Sequence, residues 1–153
     1  MSGNNLRSVQ INNGNASRYI KPKWINCGNL STAAFDLRVG PPPESYVSHF
    51  MTEGVGIQRF TFAYEIISKK IEKCHVGSIA LLDVSEALAE VNDGDAPFIK
   101  FEEKGLPHCG LIYLTEDQAQ IQEAKATLSI IAQRNMMPAA DIATAFSGTK
   151  RIS

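Results

Sequence analysis

Residues 76–84 read Val-Gly-Ser-Ile-Ala-Leu-Leu-Asp-Val, a short apolar run with β-branched members and polar residues on both sides. This pattern is typical of a strand buried on both faces, because both faces must then carry apolar side chains. Ser85 follows directly and is predicted to cap a short helix through Val91, with Glu86 near its positive end. A buried strand that leads into a helix indicates a layered domain containing both elements.

Working outward, three further segments show the two-residue period of strands, namely residues 45–50, 97–101 and 108–114. In the first of these, Ser48 and Phe50 share one face and His49 lies on the other. Residues 31–38 show the same period, which predicts another strand with Phe35 facing the core. These strands alternate with turn-forming segments, as expected for a mainly antiparallel sheet.

Two stretches predict the main helices. The first covers residues 58–72, where apolar residues are dense after Gly56. The second covers residues 116–134, where Thr115 is the predicted N-cap and Gln118 completes a capping box. Its apolar residues recur at intervals of three and four: Ile121, Ala124, Leu128 and Ile131. A last short helix is predicted at residues 139–146.

The length and composition indicate one domain. A chain of 153 residues, 44% hydrophobic and 20% charged, can bury roughly 70% of its unfolded surface around a single core. We therefore predict a single α+β domain at residues 17–147, in which a mainly antiparallel sheet packs against the two main helices. Residues 1–16, rich in Asn, Ser and Gly, are predicted to form a flexible tail, and residues 148–153 a frayed end.

Sequence features also bear on location. No stretch approaches the roughly 18 apolar residues of a spanning helix, and residues 1–15 lack the basic and then apolar pattern of a secretory leader. The three cysteines lack C-x-x-C spacing, which predicts reduced thiols rather than a disulfide framework. A cytoplasmic protein without a membrane partner is the expectation.

Charge is unevenly distributed, although the formal net charge is −1. Residues 1–35 carry no acid and four cations, which are Arg7, Arg18, Lys21 and Lys23, whereas residues 83–123 hold ten acids. This asymmetry favours an anionic ligand near the basic end, but four positive charges do not support nucleic acid on electrostatics alone. The alternative is a polar N-terminal segment beside a solvated acidic surface.

The common motifs of nucleotide hydrolases and proteases are absent from the sequence, so candidate site residues come from weaker patterns in residues 18–50. Arg18, Lys21 and Lys23 alternate there with Tyr19 and Trp24. The cations are suited to phosphate or carboxylate, and an aromatic face can stack on a planar ring. The alternative is structural: Trp24 anchors the segment while the charged heads extend into water.

A second pattern combines hydroxyls with a carboxylate, and its members are Ser31, Thr32, Glu44, Ser45 and Ser48. Hydroxyls on adjacent strands can bind ribose or phosphate, and a nearby carboxylate can orient a nucleophile or stabilise an oxocarbenium-like centre. Surface hydroxyls without a binding role are the alternative.

Histidines form the third pattern. His108 is the candidate acid or base, since Pro107 and Gly110 shape the entrance of its strand, and His49 is a further candidate ligand residue. Because neighbouring strand residues face opposite ways, His108 and Cys109 do not suit one metal, and no metal site is predicted.

Four segments resemble small uncharacterised bacterial proteins of mobile-element and defence-type gene clusters. They are residues 18–25 (Arg-Tyr-Ile-Lys-Pro-Lys-Trp-Ile), 30–38 (Leu-Ser-Thr-Ala-Ala-Phe-Asp-Leu-Arg), 44–48 (Glu-Ser-Tyr-Val-Ser) and 106–112 (Leu-Pro-His-Cys-Gly-Leu-Ile). The match spans most of residues 18–138. A fainter similarity links the order of an Arg on the first strand, hydroxyls on the second and a later Glu to ADP-ribosyltransferase-like toxins.

This second resemblance implies NAD as a ligand, with Arg18 on its phosphates, Ser31 or Thr32 on the nicotinamide ribose and Glu44 as the catalytic acid. The chain has no Glu-x-Glu or Gln-x-Glu pair near a late strand, so the similarity leaves catalysis open. The predicted function is that of a prokaryotic cytosolic defence- or toxin-type protein that recognises an anionic nucleotide-like ligand. The alternative is a non-enzymatic interaction module, such as an antitoxin, immunity protein or complex subunit, that docks a protein encoded nearby through residues 18–50.

Overall fold

The computed structural model describes residues 9–37, 45–92 and 97–152. Within these ranges a seven-stranded sheet is formed by β1 (Gln10–Ile11), β2 (Asn15–Ile20), β5 (Val47–Thr52), β6 (Ser78–Asp83), β7 (Ile99–Glu103), β8 (His108–Tyr113) and β9 (Met136–Pro138). The spatial order is β1-β7-β8-β5-β2-β6-β9, with every neighbouring pair antiparallel. A separate two-stranded sheet is formed by β3 (Ile25–Asn26) and β4 (Asn29–Leu30).

In the described part of the chain, four helices cover the two faces of the sheet: α1 (Ile57–Ser68), α2 (Val84–Val91), α3 (Gln118–Gln133) and α4 (Ala139–Ile152). Helices α1 and α4 pack together on one face, and α2 and α3 on the other. The predicted α+β fold is therefore confirmed, and its two predicted main helices are α1 and α3.

Strand β6 is the buried strand predicted from residues 76–84. Ile79 and Leu81 belong to the core beneath α1 and α4, whereas Ala80 and Leu82 belong to the core beneath α2 and α3. Since alternate side chains enter two different cores, the apolar run has no polar face.

The predicted helix caps are wrong by two residues. Asp83 caps α2, its Oδ1 accepting from the Glu86 backbone N–H at 3.0 Å, and Ser85 donates its hydroxyl to the same carboxylate. Likewise Asp117 rather than Thr115 caps α3, accepting from Gln120 N–H at 3.0 Å. An aspartate carboxylate carries full negative charge and is a strong acceptor for amides at the positive end of a helix.

Replacement of the α2 cap, Asp83→Ala, is expected to lower the free energy of unfolding by about 1 kcal/mol, since the amides of the first turn then lose their acceptor. Urea denaturation measures this loss. Ser85→Ala is the matched control and is expected to cost less, because Ser85 only supports the carboxylate. An equal or larger loss in Ser85→Ala would contradict the assignment of Asp83 as the cap.

The chain is ordered earlier than predicted at its N-terminal end. Gln10 and Ile11 of β1 pair with Glu102 and Phe101, and β2 begins at Asn15. The prediction of a flexible tail over residues 1–16 is therefore wrong at the positions that belong to these two strands. A strand at the edge of a sheet pairs through its backbone groups, so it needs no apolar pattern of side chains that the sequence would show. Residues 1–8 lie outside the described residues. At the other end, α4 is helical through Ile152, beyond the predicted end at residue 146.

The described part of the predicted strand at residues 31–38, which is residues 31–37, does not form a strand. Residues Thr32–Phe35 form a 3₁₀ turn, capped by the Ser31 hydroxyl, which accepts from Ala33 N–H at 3.1 Å. Phe35 is nonetheless buried in the core, as predicted. The local hydrogen bond from Ser31 competes with strand pairing and favours the turn.

The sheet separates between β2 and β5. These strands pair only at Asn15–Thr52, Ala16–Met51 and Ser17–Phe50, although β2 continues to Ile20 and pairs there with β6. Two 3₁₀ turns, Pro22–Trp24 and Thr32–Phe35, lie in the connection that leaves β2 at this point. The result is a cleft between two neighbouring strands.

Candidate functional site

The cleft between β2 and β5 has a volume of about 440 Å³. Arg18 and Tyr19 of β2, Ser48 and Phe50 of β5 and the connection between the strands contribute to its lining. From the connection it receives Lys21, Trp24, Ala33, Asp36 and Leu37. This places the segment singled out by its cations and aromatics around one concave surface of a size that suits a small molecule.

Arg18 bridges the separated strands. Its Nε donates to the carbonyl of Ala34 at 2.5 Å and its Nη1 donates to the carbonyl of Ser48 at 2.8 Å. The guanidinium thus donates to Ser48 in the part of β5 that does not pair with β2. Arg18 therefore has a structural role, while also bringing a permanent positive charge to the cleft.

Trp24 lies beneath two cations. The Arg18 guanidinium carbon is 5.2 Å from the indole centroid and the Lys21 ammonium is 5.3 Å from it, both within the range of a cation–π contact. The backbone N–H of Trp24 donates to the Lys21 carbonyl at 3.0 Å, closing the turn that brings these residues together. The site combines an aromatic plane with positive charge.

Among the described residues that line the cleft, the one acid is paired. Asp36 accepts from the Lys125 ammonium of α3 at 2.6 Å, and the Lys125 side chain is largely buried. Its negative charge is therefore locally compensated, and Arg18 and Lys21 leave the cleft with a positive balance.

A second cavity, of about 360 Å³, adjoins the cleft through Phe50, which lines both. Its other lining residues are Ile66, Lys69, Lys70, Gly105, Pro107 and His108. At the boundary, Ser48 Oγ lies 2.8 Å from His108 Nε2. The segment 18–50 therefore meets His108 at this hydroxyl.

The imidazole of His108 is held between aromatic rings. The Phe50 ring stacks on it at 5.2 Å between centroids, and the Tyr46 ring lies at 5.7 Å. Burial lowers the pKa of His108, and the positive charges of Lys70 and Lys104 lower it further. A hydrogen bond to the Lys104 backbone acts in the opposite direction and raises this pKa. A neutral imidazole is thus favoured at neutral pH.

His49 lies outside both cavities, in the core on the opposite face of β5. Its ring is stacked on Phe35 and meets the edge of Phe101, its Nδ1 lies 3.0 Å from the Val47 carbonyl, and its Nε2 is buried without a hydrogen-bond partner. The expected binding role does not fit this burial, which leaves 1% of the residue exposed.

Most of the other predicted site residues have structural contacts. Ser31 caps the 3₁₀ turn, Thr32 accepts from Gln122 Nε2 at 3.2 Å, and Lys23 is exposed but does not line the cleft. Glu44 lies outside the described residues. Of the predicted set, the structure brings Arg18 and Lys21 together in the cleft.

Two contributors, Asp36 and Lys70, were not predicted as site residues, and the pairing of Ser48 with His108 was not predicted either. Ser48 belongs to the hydroxyl pattern of the sequence, but its pairing with His108 depends on the register between β5 and β8, in which Phe50 opposes His108. The sequence shows both residues but no signal for that register.

The cysteines do not form a thiol or metal centre. Cys109 is fully buried and burial raises its pKa to about 12, so its thiol remains protonated. Cys74 is also buried, and Cys27 is exposed. Among the described residues, no three His, Cys, Asp or Glu side chains are close enough together to hold a metal ion.

Comparisons with protein-family models, with curated proteins and with solved structures found no match to this chain. None of the described helices combines the length and the apolar character that a membrane span requires. The geometry of the cleft is therefore the basis for assigning a function.

Proposed function

We propose that the cleft between β2 and β5 binds an anionic, ring-bearing small molecule of nucleotide type, with NAD as one candidate. The observation that carries the proposal is the placement of two cations, Arg18 and Lys21, over the single indole ring of Trp24 inside a cavity. An aromatic plane beside positive charge matches a ligand that joins a planar base to phosphate.

The two cations have different parts in this proposal. Arg18 is held by the carbonyls of Ala34 and Ser48, so its charge is fixed in position before a ligand arrives. Lys21 is exposed and its ammonium sits on a flexible stem. A base can therefore replace that ammonium over the indole while the ammonium moves to a phosphate oxygen. Preorganised charge lowers the cost of binding.

Competing charge in the cleft is limited by the Asp36–Lys125 pair, since the acid that would repel phosphate already has a cation at 2.6 Å. The biological setting that we propose, a prokaryotic cytosolic defence- or toxin-type protein, is supported by the sequence resemblance described above. Catalysis on NAD would further require Glu44, whose part remains a prediction.

Thermal unfolding in the presence of NAD, ADP-ribose or ATP tests the proposal. A ligand at 100 times its dissociation constant adds about 2.7 kcal/mol to stability, which raises the melting temperature by several degrees. Adenosine, which lacks phosphate, is the ligand control and is expected to give a smaller shift.

Variants then localise the site. Lys21→Ala is expected to weaken binding about tenfold, because one contact between opposite charges is lost. Lys23→Ala is the matched control: it removes an exposed cation two residues away that does not line the cleft. Equal losses of nucleotide affinity in the two variants would show that the effect comes from the overall positive charge of this segment and not from a contact in the cleft. If no nucleotide shifts the melting temperature, docking of a protein partner through residues 18–50 becomes the better proposal.

A further inference from the structure

Ser48 and His108 are brought together by the register of β5 and β8. Phe50 opposes His108 and Ser48 opposes Gly110, so the serine and the histidine are diagonal neighbours on one face of the sheet. Gly110 has no side chain, and a Cβ there would lie 2.6 Å from Cδ1 of Tyr46. The Tyr46 ring therefore packs over this glycine, beside the imidazole of His108.

The short contact between Ser48 and His108 pairs a hydroxyl with an imidazole. Ser48 Oγ lies 2.8 Å from His108 Nε2, within hydrogen-bond distance. In the tautomer that carries its proton on Nδ1, Nε2 accepts from the Ser48 hydroxyl. This tautomer gives the arrangement of a nucleophile with its general base.

We propose that Ser48 is a nucleophile and His108 its general base in the hydrolysis of a small carboxylic ester. The adjoining cavity of about 360 Å³ has a place for the acyl group, because Phe50, Ile66 and Pro107 give it an apolar lining. Lys70 also lines this cavity and can neutralise negative charge that develops on the carbonyl oxygen. The lowered pKa of His108 supports the role, since a base must be unprotonated at working pH.

The reaction balances with water as the second substrate. Ser48 Oγ forms a bond to the carbonyl carbon and its proton moves to His108 Nε2; the bond from that carbon to the alkoxy oxygen then breaks, and the leaving alcohol takes the proton. Water next attacks the acyl carbon, its proton passes to His108, and the bond to Ser48 Oγ breaks as the oxygen regains a proton. The products are a carboxylic acid and an alcohol, and the enzyme is restored.

This proposal is independent of nucleotide binding, so its test uses a different probe. The full chain is incubated with a fluorescent alkyl fluorophosphonate, which phosphonylates an activated serine with loss of fluoride, and the adduct is located by mass spectrometry. One adduct per chain, at Ser48, is expected. The rate should fall as pH drops through the pKa of His108, which lies below 6.5.

Matched variants separate catalysis from structure. Ser48→Ala should abolish the adduct, and His108→Asn should slow it by about 100-fold or more, as expected for removal of a general base. His75→Asn, which alters an exposed histidine, should leave the rate unchanged. Hydrolysis of p-nitrophenyl acetate should follow the same order of variants.

Three results would overturn the proposal: no adduct on the wild-type chain, an adduct retained in Ser48→Ala, or an unchanged rate in His108→Asn. If the hydrogen bond between Ser48 and His108 has only a structural role, no adduct is expected on the wild-type chain. If Ser48→Ala unfolds, the pH profile of the wild-type chain and the His108→Asn rate still decide, because both use a chain that retains Ser48.

Discussion

Acidification from pH 6.5 to pH 4.5 is expected to lower the free energy of unfolding by about 2 kcal/mol through His49 alone. Burial is the main cause that lowers the pKa of His49 from 6.5 to about 3, and the charge of Arg18 is the next. The hydrogen bond to Val47 raises this pKa, and His108 lowers it. Below pH 6.5 the unfolded chain takes up a proton that the folded protein rejects. The stabilisation is complete above pH 6.5 and is lost as the pH falls toward 3.

Urea denaturation of the wild-type chain and of His49→Leu at several pH values isolates this contribution. The stability difference between the two chains should change by about 1.4 kcal/mol per pH unit below pH 6. The carboxylates are the same in both chains, so their titration does not contribute to this difference. His75→Gln, at an exposed histidine, is the control and should follow the wild type. Parallel curves for wild type and His49→Leu would show that His49 is not buried in its neutral form.

Arg18→Leu is expected to cost about 3 kcal/mol of stability, because two carbonyls bonded to a charged donor, those of Ala34 and Ser48, lose that donor together. The same change removes the guanidinium from the Trp24 ring. Urea denaturation measures the loss. We also expect any nucleotide affinity to fall, since the fixed positive charge of the cleft is gone.

Two companion variants sharpen this result. Lys21→Met removes the other cation over Trp24 at an exposed position and should cost less than 1 kcal/mol. Arg18→Lys keeps the charge but has no planar fork, so it should fall between wild type and Arg18→Leu. A loss below 1 kcal/mol in Arg18→Leu would refute the bridging role of the guanidinium.

The apolar patterns of the sequence predict much of the fold because buried strands and helices carry apolar side chains in runs or at regular intervals. The run at residues 76–84 and the helical spacing from Ile121 to Ile131 both correspond to observed elements, β6 and α3. Strand β1 shows no apolar pattern in the sequence, since its two residues pair through backbone groups and need no particular side chains. The alternation of Ala33, Phe35 and Leu37 was too short to distinguish a strand from a capped turn.

The candidate site was predictable where its members are close in sequence. Arg18, Lys21 and Trp24 lie within one turn and strand end, so local sequence suffices to group them. Ser48 and His108 are 60 residues apart, and their contact depends on strand register. Local patterns also fail to show that a hydroxyl such as that of Ser31 already serves as a cap.

The separation of β2 from β5 has a consequence for how such a protein can diversify. Neighbouring antiparallel strands can be joined by a short hairpin, but here the whole of residues 21–46 lies between them. A connection of this kind tolerates insertion and substitution far better than the strands it joins, since lengthening a loop adds little to the entropic cost of closing it. Selection can therefore vary the exposed residues of this segment, such as Lys21 and Lys23, whereas Leu30, Ala34 and Phe35 belong to the core beneath α2 and α3 and are held by its packing.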